Sequence, residues 1–368
     1  MLLHLATQPA LAMVWRPTAP LPWAGKRFGP LFDPLAEFGG FSPPASRPQP
    51  RPVMLYLPGL DGNAFTAFAQ FPTLGASFDL RVLFADRSDA ASGGDHDGLV
   101  AAVADEVQSL ASSGREVWLM GESFGGVQAL AVALRTRESR PLRGLVLVNP
   151  ATSYPRTDLP PLADEMLEAP AWRFYLMSAS LFAGRVGDET QLRTILSTLW
   201  DNPLDDPERC PPPLAAYLKA LLPAFVEGFQ APREYFLARL GSLGAAADAV
   251  NVQLEAWRDS GDDGGGGSDD GSGGDDGGSG GALGGVPCIV VAGTVDRLAL
   301  SATEAPRLQA LLGGEAACAV HFVEGAGHSG TLDDRIDLAG VLEAWAGQPS
   351  FRRVDRSDAA AAVGSGGV

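Results

Sequence analysis

Gly121-Glu122-Ser123-Phe124-Gly125 stands between a short apolar run, Glu116-Val117-Trp118-Leu119-Met120, and a helix-patterned stretch that begins at Gly126. A serine on a sharp strand-to-helix turn is held in a strained backbone conformation. The residues two positions to either side must then lack a side chain so that strand and helix can approach. The pentapeptide meets both demands, so Ser123 is expected at the top of a strand with its hydroxyl displayed as a nucleophile.

Outward from this turn, β-rich runs recur at 53–57, 80–84, 117–120, 145–148, 289–291 and 320–323, with helical patterns between them. That alternation predicts an α/β fold, a mostly parallel sheet with helices on both faces. Leu99, Val103, Val107 and Leu110 share one face of a helix, and Ile336, Leu338, Val341, Leu342 and Trp345 mark another after the last strand. Together, residues 51–153 and 286–347 form the expected core.

Between Tyr154 and Trp257 the strand rhythm stops. A helical stretch rich in aromatics appears there, with Trp172, Phe174, Tyr175, Phe182, Trp200, Tyr217, Phe225, Phe229, Tyr235 and Phe236. Residues 154–258 therefore read as a helical cap inserted after the sixth strand, over the C-terminal ends of the strands. Most of its aromatics should form the cap's own core, leaving a few to line an acyl-binding cleft. Residues 259–285 are almost entirely Gly, Asp and Ser, which cannot bury enough apolar surface to order a chain, and predict a disordered surface insertion. Its Asp pairs lack the repeat and the bulky residue that a calcium loop needs.

The 368 residues are 46% apolar, enough for a sizeable core, and no run of eighteen apolar residues occurs. Membrane contact, if any, is expected to be peripheral. A formal charge of −17 argues against nucleic acid as a partner, although seven of the acids lie between Asp259 and Asp276. Cys210, Cys288 and Cys318 show no paired spacing, which suits free thiols better than a disulfide frame or a metal site. The first thirty residues have no acid and carry Arg16, Lys26 and Arg27. Residues 1–50 thus fit an organellar transit peptide and a plain flexible lead-in equally, and residues 348–368 read as a disordered tail.

A serine hydroxyl needs an imidazole to take its proton and a carboxylate to orient that imidazole. Of the four histidines, His4 is terminal, His96 falls in a polar stretch read as a loop, and His321 sits inside a strand pattern. His328 follows that strand in Gly325-Ala326-Gly327-His328, where a loop can carry the ring back over the sheet. The acid is expected at the end of the preceding strand, and Asp296 lies there, 32 residues before the base. Asn149 ends the strand before that one and is no carboxylate. Two backbone amides complete the constellation as oxyanion donors: that of Phe124, and that of Leu60 in Leu57-Pro58-Gly59-Leu60-Asp61-Gly62. Asp61 is expected to hold that loop through backbone hydrogen bonds. No cofactor and no metal are called for.

These segments, together with Asn149-Pro150-Ala151-Thr152-Ser153, resemble the α/β-hydrolase portion of the plant and algal plastid esterase/lipase/thioesterase proteins, the phytyl ester synthase family. The resemblance runs from about Val53 to Trp345. It implies an α/β-hydrolase fold, a chloroplast location, and transfer of fatty acyl groups onto phytol or diacylglycerol; the cytoplasm is the alternative location. Glu122 stands where Asp is commoner in that pattern, the 259–285 tract is extra, and no second glycerolipid-acyltransferase domain is expected after the last helix. His328-Ser329-Gly330-Thr331-Leu332-Asp333 matches the His-x-x-x-x-Asp signature of such domains, but no companion motif follows it.

The reading is a serine-dependent lipid esterase or acyltransferase acting on a small-molecule lipid or acyl ester, with the oligomeric state left open. An aspartate-nucleophile hydrolase is excluded by Ser123. A serine peptidase and a slow or non-catalytic ligand-binding relative stay open.

Overall fold

The computed structural model describes residues 33–34, 50–60, 62, 67–83, 90–181, 232–262, 282–329, 331 and 336–347. The strands are β1 (Val53–Leu57), β2 (Asp79–Val82), β3 (Val117–Glu122), β4 (Leu142–Val148), β5 (Cys288–Gly293) and β6 (Cys318–Val323). They form one sheet in the order β2-β1-β3-β4-β5-β6, and every described pairing is parallel.

Alternation of side chains divides the buried strand residues between two cores. Val53, Leu55, Leu57, Leu119, Leu145, Leu147 and Val290 point to one side, against helices α3 (His96–Ser112), α4 (Phe124–Thr136) and α8 (Ser301–Leu311). Met54, Tyr56, Trp118, Met120, Val146 and Ile289 point to the other, where α1 (Phe71–Ser77) supplies Phe71 and Leu74, and α9 (Leu338–Ala346) supplies Leu342 and Trp345. Trp118 meets Trp345 edge-on at 5.8 Å between centroids. Burial on both faces is why the strands read as continuous apolar runs rather than alternating ones. A short helix α2 (Ala90–Gly94) precedes α3, and the two helices read from sequence are α3 and α9, the latter starting after Ile336.

The insertion expected after the sixth strand of the hydrolase sheet follows β4, the fourth of the strands described here. A 3-10 segment, Ala151–Arg156, leads into α5 (Leu159–Glu168), α6 (Ala171–Leu181) and the long α7 (Arg233–Asp262). Phe182, Trp200, Tyr217, Phe225 and Phe229 lie outside the described residues. Of the cap aromatics described, Phe174 and Tyr235 are buried and Trp172 and Tyr175 are exposed. Helix α7 buries Leu240, Leu243, Ala247, Val250 and Leu254, a three-and-four spacing that keeps one stripe on the core.

The boundaries of the Gly/Asp/Ser tract move inward from the expected 259–285. Helix α7 continues to Asp262, since propagating an anchored helix needs no new nucleus. At the far end, residues 282–285 form a turn whose Ala282 and Leu283 are buried in the core. Residues 263–281 lie outside the described set, as do 1–32 and 348–368. The two described cysteines are free thiols, as expected, but lie closer together than their spacing suggests. Parallel pairing sets Cys288 of β5 beside Cys318 of β6, both buried and both free, an adjacency that a 30-residue separation hides. Cys210 is outside the described residues.

Candidate active site

Ser123 links β3 to α4 with φ 55° and ψ −118°, a region that costs a side-chain-bearing residue of order 1–3 kcal/mol. The surroundings over-determine it. Its amide donates to the carbonyl of Val148 at 3.0 Å, and its own carbonyl accepts from the amides of Gly126 and Ala151, each at 3.0 Å. A Cβ on Gly121 would run into the carbonyl oxygen of Gly125, and one on Gly125 into that of Leu57. Both glycines are therefore required by backbone contact rather than by flexibility.

The loop after β6 brings His328 over the sheet, so that Nε2 lies 2.8 Å from Ser123 Oγ. On the ring's other side, Nδ1 lies 3.0 Å from Asp296 Oδ2. Asp296 is held in turn. Its Oδ1 accepts from the amides of Leu298 (2.8 Å) and Ala299 (3.1 Å), and its Oδ2 also accepts from the Ser301 hydroxyl. Burial raises the Asp296 carboxyl, but the charge and hydrogen bond of His328, with those of Ser301 and Leu298, outweigh it and leave the group below the usual aspartate range. An ionised Asp296 fixes the proton on Nδ1, which leaves Nε2 to accept from the serine. Ser123 is 8% exposed and His328 5%, so the pair is largely shielded from bulk water.

Two buried polar side chains hold the loops that carry these groups. Asn149, with φ 43° at the end of β4, donates to the carbonyls of Gly327 (3.1 Å) and His328 (2.6 Å) and accepts from the amide of Gly293 at 2.8 Å. One amide group thus joins the histidine loop to the strand that ends before Asp296. Glu122, beside Ser123, accepts from Tyr56 (2.8 Å) and from the Thr331 hydroxyl (2.6 Å). Thr331 lies three residues past His328, so this carboxylate tethers the other flank of the same loop.

Phe124 opens α4, where the first amides have no intrahelical acceptor. Leu60 lies in the turn after β1. Asp61, expected to hold that turn, and Asp333 lie outside the described residues. His96 departs from its loop reading: it begins α3, capped by Asp95, which accepts from the Gly98 amide at 2.9 Å. Its ring stacks on Phe124 at 6.0 Å, and burial, opposed by Asp97, holds it below the usual histidine range. The run Gly93 to Gly98 read as a loop because two glycines precede it, and the helical cap is set by Asp95.

With this geometry in place, comparison with known proteins is informative. The model of the alpha/beta hydrolase family matches residues 53–341. The chain belongs to the alpha/beta hydrolase family. Its curated relatives include Phytyl ester synthase 1, chloroplastic, of Arabidopsis thaliana, 28% identical over 310 residues that cover 83% of this chain and 38% of that protein. Phytyl ester synthase 2, chloroplastic, of the same plant is 35% identical over 114 residues, 30% of this chain and 16% of that one. The resemblance carried by the motifs is thus present across most of the chain, which spans well under half the length of these relatives. Among solved structures, MGS-M2, an alpha/beta hydrolase enzyme from a Medee basin deep-sea metagenome library, superposes with a TM-score of 0.50 at 14% identity, covering 82% of this chain and 92% of that one. That likeness shows the shared fold.

Of the residues this alpha/beta hydrolase was expected to use, the structure brings Ser123, His328 and Asp296 into one hydrogen-bonded line and sets Phe124 directly beside them. Sequence reasoning missed Ser301, which donates to Asp296, and Thr331, which donates to Glu122. Nothing local marks them, because each reaches its partner through the tertiary fold. Among the described residues no group of three or more His, Cys, Asp or Glu could hold a metal ion, and no helix is long and apolar enough to cross a membrane.

Proposed function

We propose that this alpha/beta hydrolase is a serine-dependent lipid ester hydrolase or acyltransferase that works through an acyl-serine intermediate. The observation that carries the reading is the unbroken line from Ser123 Oγ through His328 to Asp296, at 2.8 and 3.0 Å. Ser123 Oγ attacks the acyl carbonyl carbon while its proton passes to His328 Nε2. The carbonyl oxygen becomes an oxyanion, held by the amides of Phe124 and Leu60. As the tetrahedral centre collapses, His328 returns the proton to the departing alkoxide. Water or a long-chain alcohol then gives its proton to His328 and attacks the acyl-serine, and as the second tetrahedral centre collapses His328 passes that proton to Ser123 Oγ, freeing the acid or the new ester. Asp296 stabilises the imidazolium that forms in each half.

The acceptor is read from relatives whose names describe phytyl ester synthesis in chloroplasts, so phytol in a plastid is the proposed setting, with diacylglycerol the second alcohol that the family resemblance implies. Low exposure of Ser123 supports transfer, since an alcohol competes with water only where water is scarce. The test combines fluorophosphonate labelling with a series of p-nitrophenyl esters of rising chain length and product analysis with phytol or diacylglycerol added. Labelling at Ser123, a kcat/KM that rises with chain length, and acyl transfer to the alcohol are expected. Each buried methylene is worth roughly 0.8 kcal/mol, so a few carbons give a measurable slope. A flat profile would remove the lipid reading, and free fatty acid as the sole product would leave an esterase.

A further inference from the structure

Helix α7 belongs to the cap, yet its Arg239 points into the end of the sheet. The side chain is 2% exposed. Nε donates to the carbonyl of Leu60 at 2.9 Å, and Nη2 donates to the carbonyl of Gly59 at 2.8 Å, with Pro58 at the edge of reach at 3.5 Å. The guanidinium carbon also lies 4.9 Å from the centroid of the Phe124 ring and 5.8 Å from that of Tyr235. Its contacts are carbonyl oxygens and ring faces. A buried cation spending three donors on one loop is a fixed geometric element, because a planar fork cannot shift against one carbonyl without losing the other.

The bonded carbonyls bracket the amide that matters. Gly59 C=O and Leu60 N–H are the two ends of one peptide group. A charged donor on that carbonyl oxygen polarises the peptide and strengthens the hydrogen bond its N–H gives on the far side, the cooperative effect of a hydrogen-bond chain in a low-dielectric interior. The second bond, to Leu60 C=O, fixes the next peptide plane and so the rotation of Leu60 about its own backbone. The same guanidinium packs on the ring of Phe124, the residue that carries the other amide.

We infer that Arg239 is a positioning residue for the oxyanion hole, which aims and polarises the Leu60 amide from the cap. This inference rests on the acyl-serine reading of the site above. It makes the cap part of the catalytic apparatus as well as its roof: with α7 docked, the loop after β1 is held in its donor geometry.

The test uses the full chain with Arg239→Met, Arg239→Lys and Arg239→Ala, each checked for native melting, alongside the parent and Ser123→Ala. For Arg239→Met, kcat on a p-nitrophenyl ester is expected to fall about 100-fold with KM changed less than about threefold, the signature of lost transition-state contact. Affinity for an alkyl boronic acid, which forms a tetrahedral adduct on the serine, should fall in parallel, while affinity for a non-reacting alkyl ether should hold. Arg239→Lys should recover little, because an ammonium cannot span two carbonyls. Added guanidinium should restore part of the rate to Arg239→Ala and none to Ser123→Ala. An Arg239→Met enzyme within about threefold of the parent in kcat would overturn the inference and leave the acyl-serine reading standing. Should that variant fail to fold, a parent-like kcat for Arg239→Lys does the same. A parent that turns over no ester and takes no fluorophosphonate would overturn the acyl-serine reading, and this inference with it.

Discussion

Ser123, Asp296 and His328 stand on the ends or following loops of β3, β5 and β6, neighbours in one sheet apart from β4 between the first two, whereas the loop after β1 that carries Leu60 is gripped by a helix 179 residues further along the chain. The first half of the site takes its geometry from strand register and from Asn149 and Glu122, which sew adjacent loops together. The second half takes its geometry from the cap. A sheet core and an inserted helix differ in how they loosen: parallel strands buried on both faces open only with the whole domain, while an insertion can move by itself. If Leu60 serves as the proposed oxyanion donor, the difference teaches that chemistry and cap need not be separate parts of such a molecule.

The hardest blow to the sheet-built half is Ser123→Ala. Turnover of p-nitrophenyl esters should fall by roughly 10⁴-fold or more, with the melting temperature within a few degrees of the parent. A variant as fast as the parent would show that the nucleophile lies elsewhere and dissolve the comparison. Asp296→Asn should follow, at about 10³–10⁴-fold, and its loss should not add to that of His328→Ala because the three groups act as a unit. A double variant slower than the product of the singles would contradict this.

Asp296 also gives a pH signature. Its folded-state carboxyl sits below the ordinary 3.8, so it contributes stability that is complete above that value and is lost as pH falls through the lower folded value. Denaturation of the parent should therefore steepen below about pH 4, and Asp296→Asn should show a shallower dependence over the same window. Equal slopes would mean that the His328 contact does not stabilise the ionised form.

Asn149→Ala tests the stitching itself. It removes three buried hydrogen bonds, which should destabilise by about 1–3 kcal/mol and lower kcat about 10- to 100-fold. Loss of stability without loss of kcat would show that the histidine loop holds its position unaided. The smallest effect is expected from deleting residues 264–280, outside both halves. Shortening the link between α7 and the 282–285 turn should shift the melting temperature by no more than about 2 °C and leave kcat within about twofold. A larger drop would show that this tract supports the cap helix, and with it the half of the site that α7 holds.

Much of this protein was legible along the chain. The alternation of apolar runs gave six strands and the α/β class, because buried parallel strands impose a local signature on their own residues. Gly121, Ser123 and Gly125 announced the elbow because strain and close backbone approach are local demands. Asp296 and His328 followed from their places after two successive strands. Register was not legible. Nothing in the spacing of Cys288 and Cys318 sets them side by side, nothing in Thr331 points to Glu122, and the glycines before His96 hid the cap that starts its helix. Arg239 is the extreme case: a helical arginine in an amphipathic stretch reads as a solvated charge, and only the docking of α7 against the loop after β1 turns it inward onto two carbonyls. The sequence by itself determined which elements form, since periodicity and backbone strain act over a few residues. Which side chains meet across the sheet and under the cap was decided by the tertiary structure, because those contacts depend on how the elements pack, and no short stretch of chain encodes that.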